Sequence, residues 1–333
     1  MPSISIIIRS YNEEQHIGRL LHGIEMQRLA AVEVILVDSG STDSTVPIAE
    51  KYGVKIVHIP KADFTFGGAL NRGCEVASGE LLIFASAHVY PLRQDWLEQI
   101  TAPFADPEIV LCYGRQVGNE VTRFSEHQVF KSWFPAQSVA RQANNFCNNA
   151  NCAIRRSWWQ RYNYDESLTG LEDLAWTKKA MADGGQIAYS AEAIIAHVHD
   201  ETWSRIRNRY RREAFALRQI EPGIRFSWLD FITLTLQNTV SDLRDAARQG
   251  LLTRKALEIA MFRCNQFFGT WQGHNQKGEI NAALRNRFYY PAQTERMSPR
   301  NTDHDIDYRA STSLQQRSTM PEQKEWRDAS KSR

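Results

Sequence analysis

An apolar run at residues 34–37 ends abruptly in Asp38 and passes through Gly40 into a turn rich in serine and threonine. Four apolar residues in a row are typical of a parallel strand buried on both faces, and open α/β sheets bind ligands beyond the carboxyl ends of such strands. Gly40 allows a tight turn here, which leaves the Asp38 carboxylate to accept hydrogen bonds from a ligand. The alternative is an ordinary strand-to-helix turn in which Asp38 and Ser41 serve only as caps.

Further polar stretches stand where predicted strands end or predicted helices begin. In chain order they are Tyr11-Asn12-Glu13, Gly67-Gly68-Ala69-Leu70-Asn71-Arg72-Gly73, Ser86-Ala87-His88, Asn148-Asn149-Ala150-Asn151 and Glu172-Asp173. Their order around the Asp38 loop resembles that of the family 2 glycosyltransferases, which have the GT-A nucleotide-sugar-binding fold. The resemblance covers roughly the first two thirds of the chain, where alternating strand and helix patterns predict an α/β fold.

The first predicted strand, residues 4–8, leads into Tyr11-Asn12-Glu13, and in the family a similar sequence faces the nucleotide base. The resemblance implies that Tyr11 stacks on the base and that Glu13 bonds to the base or the ribose, with Asp38 also holding the nucleoside. The alternative is that Asn12 and Glu13 merely open the following helix.

The helix predicted after Phe64 has glycines at its start, where free amide groups can approach an anion. Gly67, Asn71 and Gly73 match the family pattern at this helix, but the basic residue has moved to Arg72. The role considered for Arg72 is a guanidinium that reaches the donor diphosphate.

Ser86-Ala87-His88 follows the next apolar run, where family members commonly carry an Asp-x-Asp metal-binding sequence. An imidazole in place of a carboxylate disfavours Mg²⁺ and is more compatible with Mn²⁺. The alternatives are that a protonated His88 contacts the diphosphate directly, without metal, or that it only caps the strand end. His197 and His199 lie on one face of a later predicted strand. His199 could join His88, and the alternative is that these histidines are structural.

The stretch 144–151 is unusually rich in asparagine. Family members have an Asn- or Gly-rich strand here that borders the donor sugar. Asn149 and Asn151 are two residues apart, so we expect them to face the same side of a strand. Turn formation is an equally good explanation for any single asparagine.

Glu172 and Asp173 precede a predicted helix over residues 174–182. A carboxylate at a helix N-terminus is held in place and kept ionised, as a general base requires. In the family, the Asp of such a pair deprotonates the acceptor hydroxyl, so the resemblance gives Asp173 this role. The alternative is an ordinary acidic first turn.

The composition limits the class of protein. With 40 basic and 38 acidic residues the net charge is +2, so no overall electrostatic attraction to nucleic acid is expected. No apolar run approaches the ~20 residues needed to span a bilayer, and we expect no signal peptide. Five scattered cysteines indicate reduced thiols and a cytoplasmic protein, at most in contact with the inner face of the membrane.

The composition changes after residue 200. A predicted helix over residues 203–219 carries six arginines. They indicate either a charged solvent-facing side or a site for a diphosphate, a polyprenyl-diphosphate acceptor or anionic lipid headgroups, the last giving peripheral membrane contact. Apolar residues at helical spacing predict two further helices. The polar end of the chain, residues 293–333, is predicted to be disordered.

Together these features predict an α/β protein with a GT-A-like (Rossmann-like), mixed but mainly parallel sheet flanked by helices. Its parts are a nucleotide-sugar-binding catalytic domain over 1–200, a helical C-terminal extension over 201–292 and the polar tail. Site residues implied by the resemblance are Glu172 and Asp173 for catalysis and Ser10, Tyr11, Glu13, Asp38, Gly40, Asn71, Arg72, Ser86, Ala87, His88, Asn149 and Asn151 for the donor.

The resemblance implies an inverting, rhamnosyltransferase-like enzyme that moves a sugar from a nucleoside-diphosphate sugar to a hydroxyl of a glycan or lipid-linked acceptor of the cell envelope. A divalent cation at His88 and His199, Mn²⁺ rather than Mg²⁺, is expected unless the reaction uses none. The missing Asp-x-Asp carboxylates leave open an inactive nucleotide-sugar-binding protein. A sugar nucleotidyltransferase is less favoured, because the first strand lacks a Gly-rich, Lys-containing loop after it.

Overall fold

The computed structural model describes residues 2–29 and 32–276, together with Leu284, Phe288 and Tyr289. These residues form one β-sheet covered by helices and a helical region after it, which confirms the predicted α/β class. The predicted boundary at residue 200 falls between the last strand and the next helix and stays a prediction. The predicted disordered tail, 293–333, lies outside the described residues.

Eight strands of the described chain pair into a single sheet. They are β1 (Ile4–Ser10), β2 (Val32–Asp38), β3 (Lys55–His58), β4 (Leu81–Ser86), β5 (Val89–Pro91), β6 (Ile109–Val117), β7 (Asn151–Arg155) and β8 (Gln186–His197). Their order across the sheet is β3-β2-β1-β4-β7-β6-β8-β5. Four neighbouring pairs are parallel and three are antiparallel, so the sheet is mixed and mainly parallel, as predicted.

Ten α-helices lie among the described residues. They are α1 (Ile17–Glu25), α2 (Thr45–Glu50), α3 (Phe66–Val76), α4 (Trp96–Thr101), α5 (Phe124–Trp133), α6 (Arg156–Arg161), α7 (Glu172–Ala182), α8 (Trp203–Ile220), α9 (Trp228–Arg248) and α10 (Leu252–His274). The predicted strand that carries His197 is the end of one long strand, β8, which stops before His199 and whose pairing with β6 shifts register after Gly114.

Strand β1 is buried on both faces because the sheet lies between two apolar layers. Ile6 and Ile8 belong to the layer that includes α1, whereas Ile7 belongs to the layer that includes α3, as the two-residue alternation of a strand requires. Helix α3 approaches β1 closely at Gly73, where a Cβ atom would lie 2.4 Å from the Ile7 side chain. Each fully buried isoleucine stabilises the fold by roughly 1.5–3 kcal/mol.

The register of the parallel strands brings their polar ends together. Ser10 pairs with Asp38 on β2, and Arg9 pairs with Ser86 on β4. Because β1, β2 and β4 run in the same direction, the loops that follow them open at one edge of the sheet. This edge is where the sequence predicts the binding site.

The C-terminal helices close over this edge. Helix α8 packs against α10, and α10 also contacts α5 and α9. A buried ion pair between Arg263 Nε and Asp242 Oδ2, at 2.7 Å, joins α10 to α9. No described helix combines the length and apolarity needed to cross a bilayer.

Candidate active site

Two adjoining cavities open at the carboxyl edge of the sheet, between β1, β4 and helix α8. The larger has a volume of about 290 Å³ and the smaller about 190 Å³. Both are lined by Arg9, Phe66, Ser86, His88, His199, Arg209 and Arg212. These residues form a shared wall, at which ligands bound in the two cavities would meet.

The larger cavity contains the residues predicted at the end of β1. Ser10, Tyr11 and Glu13 all line it. The Tyr11 hydroxyl accepts a hydrogen bond from Lys61 Nζ at 2.7 Å, and this ammonium lies 4.5 Å from the Tyr11 ring centroid. Sequence reasoning missed Lys61, because it is 50 residues from Tyr11 and no local pattern links them. Helix α1 begins only at Ile17, so Glu13 does not lie in its first turn.

Asp38 holds the shape of its own loop. Its carboxylate accepts hydrogen bonds from the Gly40 amide at 3.0 Å and from the Ser41 amide at 3.1 Å, and His58 Nδ1 lies 3.6 Å away. Gly40 has a φ of +84°, a conformation that favours glycine. The expectation of a free carboxylate is therefore corrected. Asp38 lines neither cavity, whereas its neighbour Ser39 lines the larger one.

Asn12 ties the first two loops together. Its side-chain Oδ1 accepts a hydrogen bond from the Thr42 amide at 2.8 Å, and its own amide donates to Ser41 Oγ at 2.8 Å. Asn12 adopts a φ of +53°, which asparagine tolerates better than most residues. This contact fixes the loop that carries Tyr11 and Glu13.

The structure does not bring Asn71 and Arg72 to the cavities. Asn71 is buried, where its Nδ2 donates to the Tyr164 carbonyl at 3.0 Å and its Oδ1 accepts from Trp159 Nε1 at 3.1 Å. It anchors α3 to the segment before α7. Arg72 is exposed on the outer side of α3 and pairs with Glu75 at 2.9 Å. The displaced basic residue therefore points away from the site, which corrects its expected diphosphate role.

Asn149 and Asn151 have different surroundings, which corrects the expectation that they share one face. Asn149 lines the smaller cavity, and its backbone amide donates to Asp173 Oδ2 at 3.0 Å. Asn151 is fully buried in the sheet, where its Nδ2 donates to the Ala193 carbonyl at 2.8 Å and its Oδ1 accepts from Trp96 Nε1 at 2.9 Å. The reason is that β7 begins only at Asn151, so the strand alternation does not extend back to Asn149.

Glu172 and Asp173 begin α7, as the sequence predicts, and both line the smaller cavity. The Asp173 carboxylate accepts hydrogen bonds from the backbone amides of Asn149, at 3.0 Å, and Leu174, at 2.8 Å. Glu172 Oε1 lies 2.7 Å from Arg9 Nη1, at the shared wall. The two acids thus have different partners. Glu172 pairs with the Arg9 guanidinium, whereas the Asp173 carboxylate accepts hydrogen bonds from neutral backbone amides.

The environment of Asp173 favours proton uptake. Burial and the neighbouring Glu172 charge raise its pKa from 3.8 to about 7, although the two amide donors and Arg9 oppose the shift. The sequence predicts a base kept ionised by the helix N-terminus, so this is a correction. Desolvation outweighs the helix dipole because the carboxylate lies inside the protein. A carboxylate with this pKa can both accept and release a proton near neutral pH.

Three histidines converge beside the shared wall. His88 follows β4, while His197 ends β8 and His199 follows it, and one ring nitrogen from each lies within 4.8 Å of the others. The sequence predicts the pair His88 and His199, and the structure adds His197. Ser86 lines both cavities, but Ala87 is buried and lines neither.

The arginines of α8 correct the prediction of a charged solvent-facing side, because all six are partly buried. Arg209 pairs with Glu126 at 2.9 Å and with Glu201 at 2.7 Å. Arg212 stacks over Phe66, with its guanidinium carbon 4.5 Å from the ring centroid. Arg205 lines the larger cavity as well. The spacing of these three arginines, four and three residues, could have indicated one inward helix face.

Two curated relatives match about three fifths of the chain. The O-antigen chain rhamnosyltransferase RfbN of Salmonella typhimurium strain LT2 is 27% identical over 212 residues, which cover 60% of this chain and 67% of the relative. The O-antigen chain rhamnosyltransferase WbaN of Salmonella anatum is 25% identical over 214 residues, 61% of this chain and 68% of the relative.

The fold resembles a solved structure over most of its length. The mannosyltransferase PcManGT from Pyrobaculum calidifontis superposes with a TM-score of 0.58 and 18% identity, covering 83% of this chain and 88% of that one. The sheet and flanking helices are thus of the GT-A type. The model of the glycosyl transferase family 2 domain matches residues 5–163. Residues 5–163 therefore match a family 2 glycosyl transferase domain, and the chain is a glycosyltransferase.

Proposed function

We propose that the chain is an inverting glycosyltransferase that moves a sugar from a nucleoside-diphosphate sugar to a hydroxyl of a glycan or lipid-linked acceptor. The observation that carries this proposal is the environment of Asp173. This carboxylate has a pKa of about 7 and lines a cavity that adjoins the larger space around Tyr11. A general base is most effective when its pKa lies near the working pH.

In this proposal the larger cavity binds the nucleotide. Tyr11 offers an aromatic face to the base, a contact worth roughly 1–3 kcal/mol, and Glu13 offers a carboxylate to the base or ribose. Arg212 extends to the shared wall, and its buried Nε has no hydrogen-bond partner among the described residues. That Nε donor is therefore available to the negative charge that grows on the departing diphosphate.

The smaller cavity binds the acceptor. Asp173 takes the proton from the acceptor hydroxyl as that oxygen attacks the anomeric carbon, in line with the departing nucleoside diphosphate. A single attack from the side opposite the leaving group inverts the configuration at that carbon. Arg9 holds the charge of Glu172, and the backbone amides hold the Asp173 carboxylate at the cavity wall.

A divalent cation at His88 and His199 is part of the proposal, with Mn²⁺ favoured over Mg²⁺. The residues fit an ion, since their ring nitrogens lie within 4.8 Å of each other and each imidazole is oriented through its Nδ1. When bound, the ion would neutralise charge on the diphosphate. The Pyrobaculum calidifontis mannosyltransferase was solved with GDP-Man and Mn²⁺, which supports a cation in this kind of site.

The substrates proposed follow the Salmonella relatives, which are O-antigen chain rhamnosyltransferases. We therefore propose a deoxyhexose donor and an acceptor from cell-envelope polysaccharide synthesis, used at the inner face of the membrane. The proposed cytoplasmic site of action agrees with the five cysteines, all of which are free thiols.

Calorimetry with UDP, GDP and dTDP, each with and without Mn²⁺, tests the proposal. We expect one nucleotide to bind much more tightly than the others, with equal affinity for the native protein and Asp173→Asn. Tyr11→Ala should weaken that binding about tenfold, and Tyr11→Phe should retain it, because the stacked ring is worth roughly 1–3 kcal/mol. Absence of binding by all three nucleotides would refute the proposed donor class.

A further inference from the structure

Helix α9 carries an apolar stripe that the rest of the described chain leaves uncovered. Of the twelve large apolar side chains that are exposed among the described residues, nine lie between residues 224 and 261. Four of them lie on α9 at steps of three and four residues, which places them on one face of the helix. Their exposed fractions are 70% for Leu229, 39% for Ile232, 60% for Leu236 and 43% for Val240. A contiguous exposed apolar surface of this kind marks an interaction site.

The contacts of α9 with its own chain lie on a different side of the helix. Asp242 and Ala246 are its buried residues, and both lie in its last third. Nearer its start, the Trp228 ring meets Trp271 of α10 with centroids 5.1 Å apart. Successive helical residues are about 100° apart, so the stripe centred on Leu236 lies roughly a quarter to a third of a turn away from these contacts. Packing within the chain therefore does not cover the stripe.

The charges beside the stripe disfavour a membrane surface as its partner. Residues 226–243 contain no lysine or arginine, and the charged residues among them, Asp230 and Asp242, are both acidic. Asp242 is buried in an ion pair with Arg263, whereas Asp230 is exposed. A helix that lies on an anionic bilayer carries lysine and arginine on its polar face. The charge pattern of α9 therefore favours a protein partner.

The same charges fit a second copy of α9 that runs antiparallel to the first. Asp230 lies six residues before Leu236, Arg244 lies eight residues after it, and both are exposed. At about 100° and 1.5 Å per residue, the two charges lie on the same side of the stripe, and a two-fold axis at Leu236 brings them to within roughly 3 Å of each other along the helix axis. The same axis places Ile232 of one copy opposite Val240 of the other.

We infer that the chain forms a two-fold symmetric dimer in which the α9 stripes of two copies pack antiparallel against each other. Leu236 meets its own copy at the axis, and an Asp230–Arg244 ion pair lies on one side of the stripe in each half of the interface. Both stripes are covered in this closed arrangement, so assembly stops at the dimer. Helix α9 lines neither cavity, so the inference does not depend on the proposed function.

Sedimentation equilibrium of the full-length protein tests the inference. We expect a mass twice that of the chain for the native protein and the mass of one chain for Leu236→Lys, because this change places two like charges at the axis. Met26→Lys is the matched control, since it adds the same charge at an exposed apolar residue after α1, and it should remain dimeric. An unchanged near-ultraviolet circular dichroism spectrum shows that Leu236→Lys is folded. A monomeric native protein, or a dimeric Leu236→Lys, would overturn the inference.

Charge reversal tests the antiparallel alignment. Arg244→Asp should weaken dimerisation roughly two- to fivefold for each ion pair that is lost. Adding Asp230→Arg should restore affinity, because the pairs form again with their signs exchanged. Asp230 also closes the capping box with Ser227, so Asp230→Arg alone measures the effect of losing that cap. If the double variant dimerises no more tightly than either single variant, the alignment is wrong.

Flotation with vesicles of phosphatidylethanolamine and phosphatidylglycerol tests the competing partner. We expect the native protein and Leu236→Lys to float to the same extent, because the dimer covers the stripe and keeps it away from lipid. Flotation of the native protein that Leu236→Lys abolishes would assign the stripe to the membrane and contradict the dimer.

Discussion

Glu126 and Asp173 line the same small cavity and are both buried, with exposed fractions of 2% and 8%. Their pKa values are nevertheless shifted in opposite directions. Burial disfavours ionisation of Glu126, but Arg209 and His199 outweigh it and lower the pKa to about 2. At Asp173, burial and the Glu172 charge raise the pKa to about 7.

The difference shows that partners, and not burial alone, determine what a carboxylate can do. Glu126 is an anchor, because its ion pair with Arg209 and its hydrogen bond with His199 keep it ionised and prevent proton uptake near neutral pH. Asp173 can serve as a base, because backbone amides position it without neutralising its charge. The comparison therefore favours Asp173 over Glu126 as the group that takes the acceptor proton in the proposed reaction.

The largest effect expected is that of Asp173→Asn on turnover. Loss of a general base lowers the rate by about 10²–10⁴-fold, while nucleotide affinity should not change because the side chain lies in the other cavity. Turnover is measured as nucleoside diphosphate released from the donor. Asp183→Asn, at the opposite end of α7, is the matched control. Native turnover of Asp173→Asn would remove Asp173 as the base.

Glu126→Gln should act mainly on stability. Breaking a buried ion pair costs on the order of 3 kcal/mol, because the remaining cation stays desolvated. The free energy of unfolding, measured by urea denaturation, gives this cost. The control is Glu108→Gln, whose exposed pair with Arg141 contributes at most about 1 kcal/mol. Equal losses of unfolding free energy in the two variants would contradict the assignment of Glu126 as a structural anchor.

The pH dependence of stability gives a smaller signature of Asp173. Its folded-state pKa of about 7 lies above the ordinary value of 3.8, so the folded protein binds a proton that the unfolded chain releases. The native protein should therefore lose stability as pH rises from about 4 through 7. Relative to it, Asp173→Asn should gain about 2–3 kcal/mol between pH 5 and pH 8. If the difference in stability between the native protein and Asp173→Asn stays constant from pH 5 to pH 8, the pKa of Asp173 is not raised.

Arg9→Met should give the smallest effect and reveal how strongly the Glu172 charge affects the pKa of Asp173. Without the guanidinium, the Glu172 charge acts on Asp173 unopposed, so the pKa of Asp173 rises and less base is ionised. A rise of about one unit would lower turnover at pH 7 roughly fivefold. Activity should recover at higher pH, and Arg9→Lys should restore much of it. A uniform loss at every pH would indicate a purely structural role.

The sequence predicted the features that depend on residues close together in the chain. Apolar runs indicated the strands whose ends carry Ser10 and Ser86, and the acidic pair marked the start of α7 at Glu172. Long-range contacts were not predictable in this way. Arg209 and Glu126 are 83 residues apart in the chain, and no pattern in α8 indicates that they form an ion pair. For the same reason the pKa of Asp173 depends on burial that the sequence does not show.

The anomeric configuration of the first sugar released from the donor tests the central claim most directly. Without acceptor, water takes the place of the hydroxyl in the smaller cavity, and proton NMR resolves the product before it mutarotates. A single displacement assisted by Asp173 predicts that the native protein releases the anomer opposite to that of the donor. Asp173→Asn should release this anomer far more slowly. Release of the same anomer as the donor would contradict direct attack and, with it, the assignment of Asp173 as the base.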